Sequence, residues 1–342
     1  MPALSTPGSS VLSCPPGAPV HAWMPSSPCS PGCVETVAQT GGLRAVGRAM
    51  GVVGLFVSFP AVNALTPRGR RHGLQRGYAR AVLRCCGIGL RIVDQRFGDA
   101  GAQKPLACAD PAGDVPEIRA AGEGQLVSGA ADPQGLLVVA GHVGWTDVIA
   151  LAAVQPMGFV ARADLIEWPL LGRLARFMRV IPIERERLRQ LPEVISAIAA
   201  RLRAGDRVTV FPEGTTWCGR AHGRHRPALY QAAVDTGAAV QPIRVRYLDR
   251  DGNVSTVPGF VGTDTFLDSV SRVLHSKGVT AEIVLLPRQT PGPDRHDLAR
   301  RCEQAIRGPE TVDIDAHATA VGTGPTREIV QDNEIRSTAT VS

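Results

Sequence analysis

Aromatic residues make up only 4% of the 342-residue chain. That leaves little surface on which unpaired bases could stack, and it weighs against a binder of single-stranded nucleic acid. No G-x-S-x-G stretch is present, so the sequence offers no serine nucleophile elbow of the hydrolase kind. The eight cysteines, Cys14, Cys29, Cys33, Cys85, Cys86, Cys108, Cys218 and Cys302, show no recurring zinc spacing. No metal site is therefore expected, and reduced intracellular thiols fit the scatter better than a disulfide framework. No basic residue precedes Arg44, so the charged opening of a secretory signal is missing and export is not expected.

Charge is missing in a second, more informative place. Ala49 to Leu65, AMGVVGLFVSFPAVNAL, carries none. At 17 residues this run is at the short end for spanning a bilayer, and Pro60 would kink it. A shallow insertion and a full span both stay open. Acids are then absent until Asp94, while Arg68, Arg70, Arg71, Arg76, Arg80, Arg84 and Arg91 accumulate. Arg76, Arg80 and Arg84 share one helical face. An apolar helix beside a basic amphipathic one reads as a membrane-surface anchor, with the arginines against anionic headgroups. Nucleic acid is the competing partner for such a stripe, and the apolar neighbour favours the membrane.

The ends hold little to bury. Residues 1–40 are rich in Pro, Ser, Gly and Cys, and 308–342 are polar, so both are expected to be disordered. Between them lie a membrane-associated helical segment, 41–87, and a domain, 88–307, in which 95–134 reads as a long loop insertion. In that domain, strands expected near Ile88 to Asp94, Gly158 to Ala161, Arg179 to Ile183, Val208 to Phe211, Ala239 to Tyr247 and Val279 to Leu286 alternate with helical patterns. The expected fold class is α/β, a mostly parallel sheet flanked by helices.

Leu136 to Leu151, LLVVAGHVGWTDVIAL, is the stretch around which the domain is organised. A short apolar run bounded by a glycine turn reads as a buried strand feeding a helix. His142 and Asp147 then sit together at the strand's carboxyl end, where open α/β sheets place their chemistry. A carboxylate folded back onto the imidazole fixes the ring's tautomer and frees its other nitrogen as a general base. The plain alternative is that Asp147 only caps the helix and His142 is a loop histidine.

Phe211 to Thr215, FPEGT, leaves a later strand through a glycine turn. Its amides and the Thr215 hydroxyl suit an anionic oxygen, although an ordinary strand-to-loop turn reads the same way. Glu213 would have to bind a hydroxyl or pair with an arginine. Arg162 and Arg185 lie at strand ends where a planar fork can hold phosphate, or where they simply form a solvated rim. His222 and His225 lie in a basic loop and are read as solvated rather than as metal ligands.

Taken in order, H-x-x-x-x-D, the strand-end Arg185, F-P-E-G-T and the V-x-P of Val240 to Pro242 resemble the glycerolipid acyltransferase family, over roughly residues 49–307. That resemblance makes His142 the general base and Asp147 its orienting partner. It gives Arg185, Glu213, Gly214 and Thr215 to the acceptor's polar head, and Pro242 to the acyl-donor side; Arg162 is a further candidate for the head from its strand-end position. It implies a cell-membrane enzyme, its active site on the cytoplasmic side. The expected reaction moves a fatty acyl group from an acyl-CoA or acyl-carrier-protein thioester to a lysolipid hydroxyl. The acceptor of first choice is 1-acyl-glycerol-3-phosphate, with lyso-ornithine lipid as the alternative. No cofactor is implied, and the expected partners are membrane lipids, not nucleic acid. Gly141 stands where the family usually has Asn, and Trp217-Cys218 replaces its more common small or basic residues. A non-catalytic lipid binder on the same scaffold would not need the base.

Overall fold

Five consecutive apolar residues, Leu136–Ala140, form strand β2, and every one is buried. Alternate side chains on a strand point to opposite faces. Leu136, Val138 and Ala140 accordingly enter one core cluster, and Leu137 and Val139 enter another. A strand buried on both sides belongs in the middle of a covered sheet. The protein, described here from a computed structural model that covers residues 27, 29, 31–35, 39–97, 135–163, 180–184, 187–262 and 264–308, places it there.

The other strands are β1 (Ile88–Asp94), β3 (Gly158–Arg162), β4 (Ile181–Ile183), β5 (Arg207–Val210), β6 (Val240–Leu248) and β7 (Val279–Leu285). They join in the order β1-β7-β6-β2-β5-β3-β4. Every pairing is parallel except β6 with β7. Helices α1 (Gly42–Leu65), α2 (Arg71–Cys85) and α3 (Trp145–Val154) are followed by α4 (Leu191–Arg203), α5 (Gln231–Thr236), α6 (Phe266–His275) and α7 (Arg295–Arg307). Apolar residues of α2, α3 and α6 cover one face of the sheet, and those of α4, α5 and α7 cover the other. The α/β class expected from alternation is the one observed.

Local signals explain the helix limits. Thr265 caps α6 by accepting from the Asp268 amide, and Asp294 caps α7 by accepting from that of His296. The stretch from Pro227 opens as a short 3-10 turn, Pro227–Tyr230, before α5. The helix expected over Leu165 to Phe177 and most of the 95–134 insertion lie outside the described residues.

The apolar run begins earlier than its uncharged core. Helix α1 has 24 residues, and Pro60 lies inside it without ending it. One side of it is fastened to the domain: the Arg48 guanidinium donates to the carbonyls of Leu274 and Ser276, and Phe59 rests against Tyr78. The basic stripe is partly spoken for. Arg80 donates to the Ala153 carbonyl in the last turn of α3, a position that attracts cations, and Arg91 pairs with buried Glu282.

Part of the stretch expected to be a disordered leader is also packed on the domain. Cys29 is only 2% exposed, and Ser27 and Glu35 hydrogen-bond to Thr216 and Thr256. The composition of 1–40 concealed this because the partners of these residues lie some two hundred positions away.

Candidate active site

Register brings the two motifs together. Strands β2 and β5 pair in parallel with Val139 opposite Val210, so His142 and Glu213, each three residues further on, leave the same sheet edge side by side. The amide of His142 faces the Glu213 carboxylate at 3.4 Å, and the carbonyl of His142 accepts from the Trp217 amide at 2.8 Å. The histidine backbone is thereby held on one side by the F-P-E-G-T turn and on the other by the loop that follows it. Its ring stacks on Phe211, with centroids 4.0 Å apart and planes 14° from parallel, which fixes the plane of the imidazole.

Asp147 accepts from the ring. Nδ1 of His142 lies 2.9 Å from Oδ2 of Asp147. A carboxylate can only accept, so Nδ1 carries the proton and Nε2 is left as the basic nitrogen. The same Oδ2 accepts from the amides of Val143, at 2.7 Å, and Gly144, at 3.0 Å. Asp147 lies in the first turn of α3 with Gly144 at its N-cap, so one carboxylate both caps the helix start and orients the His142 ring. Oδ1 accepts from the Tyr247 hydroxyl at 2.8 Å. Burial pushes the Tyr247 phenol well above its ordinary range, and the nearby Asp147 charge adds to this, so it stays a donor. Asp147 is fully buried, while the His142 side chain keeps 14% exposure. The imidazole is reachable and the carboxylate is sealed.

Sequence reasoning missed Tyr247 and Gly144. Tyr247 lies 100 residues from Asp147, and its signal was the polar tip among the inward-facing Ile243 and Val245 of β6. At Gly144 the backbone is extended, and what demands glycine is space: a Cβ there would lie 2.4 Å from the Pro258 carbonyl oxygen. Gly144→Ala is expected to displace the start of α3 and the carboxylate with it. Turnover at this site should drop about a hundredfold, the cost of misplacing a reacting group by an ångström. A variant of wild-type rate with an unchanged melting temperature would show that the contact is dispensable.

The remaining candidates separate. Gly214, at φ 77°, makes the tight turn in which its amide reaches the Phe211 carbonyl at 3.1 Å, a conformation that favours glycine. Thr215 beside it is half-buried. Glu213 is buried, so in this structure it does not project outward to read a head group as expected. It braces the His142 amide instead. Pro242 is likewise set inside the sheet, because the β2–β6 register pairs it with Val139, three residues before His142 at the sheet edge. Arg162 is exposed at the end of β3. Arg185 lies outside the described residues. His225 faces the Tyr230 hydroxyl at 2.8 Å and is buried, so it is not the solvated histidine expected, and burial lowers it to about 3.

Burial raises the Glu213 carboxyl well above its ordinary value of 4.5, more than the His142 amide lowers it. The folded chain thus keeps a proton that the unfolded chain releases above about pH 4.5, and stability falls as pH rises from there toward the raised value. Glu213→Gln removes this penalty and keeps an acceptor. Its melting temperature relative to the parent should climb from pH 5 to pH 8, and a difference that shrinks with pH would contradict the neutral, buried carboxyl.

Known proteins resemble the chain in sequence and in fold. A family model described as Acyltransferase matches residues 126–246. The chain is similar to a lyso-ornithine lipid O-acyltransferase of Pseudomonas aeruginosa, with 37% identity over 186 residues, 53% of this chain and 70% of that protein. It is similar to a 1-acyl-sn-glycerol-3-phosphate acyltransferase of Neisseria gonorrhoeae, with 32% identity over 187 residues, 54% and 72% of the two chains. In fold it matches the crystal structure of the 1-acyl-sn-glycerophosphate (LPA) acyltransferase PlsC from Thermotoga maritima at a TM-score of 0.52, with 14% identity, covering 78% of this chain and 92% of that one. With the histidine and its carboxylate held at one sheet edge and relatives of this kind over most of their length, the chain belongs to the glycerolipid acyltransferase family, whose members include lyso-ornithine lipid and 1-acyl-sn-glycerol-3-phosphate acyltransferases.

Proposed function

We propose that the protein transfers a fatty acyl group from an acyl-CoA or acyl-carrier-protein thioester to the hydroxyl of a lysolipid at the cytoplasmic face of the cell membrane. The observation that carries this is the His142 Nδ1 to Asp147 Oδ2 bond of 2.9 Å, which leaves Nε2 free to accept a proton. As Nε2 takes the hydroxyl proton, the oxygen attacks the thioester carbonyl; the new ester forms, the C–S bond breaks, and the imidazolium returns the proton to the thiolate. The thioester is a substrate, and no cofactor takes part.

1-Acyl-glycerol-3-phosphate is the acceptor of first choice, with Arg162, Arg185 and, at the turn made by Gly214, the Thr215 amide and hydroxyl meeting its phosphate. Lyso-ornithine lipid is the second reading. It is favoured by the 37% identity to the Pseudomonas enzyme against 32% to the Neisseria one over spans of similar length. Purified protein given labelled acyl-CoA and both lysolipids, with products identified by mass, decides between them. If neither lysolipid is acylated from acyl-CoA or from acyl-carrier protein, both readings fail.

Helix α1 supports the membrane location. Leu43, Val46, Met50, Val53 and Val57 recur at steps of three and four and are all exposed, which puts them on one face. Because the opposite side is fastened to the domain, the helix is inferred to lie in the interface plane with this stripe among the acyl chains. Replacing Val46, Met50 and Val53 together by Asp should lower sedimentation with anionic liposomes at least tenfold, since each buried side chain contributes about 1.5–3 kcal/mol. High salt alone should leave the parent bound. Release by salt, or an unaffected triple variant, would count against the inserted stripe.

A further inference from the structure

Three cysteines that the sequence scatters converge beside the catalytic loop. The sulfurs of Cys29, Cys33 and Cys218 all lie within 4.8 Å of one another. None is in a disulfide, Cys29 and Cys218 are buried, and Cys33 is half-buried. Cys29 lies two residues before the 3-10 turn Pro31–Cys33 and Cys33 ends it, and both sulfurs lie near that of Cys218. Around them Trp217, Ala221 and Val261 form a small apolar cluster of their own, so the sulfurs sit in a dry, shaped recess.

We propose that these three cysteines bind one zinc ion, which clips residues 27–35 onto the loop that follows the F-P-E-G-T turn. A tetrahedral zinc with bonds of about 2.3 Å sets its sulfurs roughly 3.8 Å apart, a separation reached here by sub-ångström to ångström closure of the trio. The Cys218 amide already points at the Cys29 sulfur, at 3.3 Å, the kind of outer contact that orients a thiolate toward a metal. A disulfide would join two of the sulfurs and leave the third unused, whereas a soft divalent ion engages all three. Binding is balanced by proton release: three thiols and Zn²⁺ give a zinc tris-thiolate and three protons, with the fourth position left to a water.

The clip reaches the reaction through the backbone. Ser27 donates to the Thr216 carbonyl, Glu35 forms an ion pair with Arg220, and the next residue after Thr216, Trp217, donates its amide to the His142 carbonyl. Zinc would therefore hold the loop that holds the base. This does not depend on which lysolipid is the acceptor.

The test is metal content of the full-length protein in detergent, purified under reducing conditions, loaded with Zn²⁺ and desalted. One zinc per chain is expected, with at least a tenfold loss in Cys29→Ser, Cys33→Ser and Cys218→Ser. Cobalt substitution should give sulfur-to-metal charge-transfer absorption that weakens in each variant. Cys33→His, at the most exposed of the three positions, should restore a full equivalent, which guards against variants that lose metal by misfolding. Substoichiometric zinc in the loaded parent would overturn the proposal, as would unchanged metal in Cys33→Ser or a disulfide within the trio in protein alkylated before reduction.

Discussion

His142→Ala should lower acyl transfer by roughly a hundredfold to ten-thousandfold, the range for loss of a general base. Folding should persist, because the imidazole is partly exposed and fills no core position; it rests on the Phe211 ring and bonds to Asp147. Asp147 keeps its bonds from the Val143 and Gly144 amides and from Tyr247, so α3 stays capped. Initial rates at saturating thioester and lysolipid, with a melting curve of the same preparation, read both halves of the expectation. A correctly folded His142→Ala enzyme with the parent's rate would remove His142 from the chemistry.

Asp147→Asn is the second large effect, and the hydrogen-bond pattern says how it arises. The two backbone amides and the ring N–H all point at the Oδ2 position, so the amide oxygen of Asn must occupy it and the NH₂ must face Tyr247. The buried Tyr247 hydroxyl then turns from donor to acceptor. The tautomer of His142 survives, and what is lost is the negative charge that stabilises the imidazolium as it forms. The rate should fall by roughly a hundredfold or more, with little change in the KM of the lysolipid. The double variant with His142→Ala should be no slower than His142→Ala alone, because residues that act as a unit do not add. Additive losses would mean that Asp147 acts mainly through the fold.

How much of this was legible before the fold was known depends on whether a feature is local. The β2 to α3 unit could be read directly, since an apolar run, a glycine turn and the five-residue step from His142 to Asp147 lie in one stretch. The F-P-E-G-T turn could be found but not understood. Glu213 reads as a ligand-facing acid until the Val139 to Val210 register sets it against the His142 amide, where burial removes its reason to be charged. Pro242 shows the same limit, because its place inside the sheet follows from pairing with Val139 and not from its neighbours in sequence. Arg80 and Arg91 looked like membrane-facing charge, yet Arg80 donates to the Ala153 carbonyl and Arg91, still exposed, pairs with buried Glu282. Cys29 and Cys33 looked like part of a loose leader because the third cysteine, Cys218, meets them only through the fold.

The most direct measurement of the central claim is stoichiometric. Purified protein is mixed with an acyl-CoA or acyl-carrier-protein thioester, and released thiol and new ester are both quantified, with and without lysolipid. A transferase using His142 to activate the lysolipid hydroxyl predicts one ester for each thiol released, almost no thiol without lysolipid, and loss of both signals together in His142→Ala. Thiol released at the same rate without lysolipid, or ester formed undiminished by His142→Ala, would contradict it.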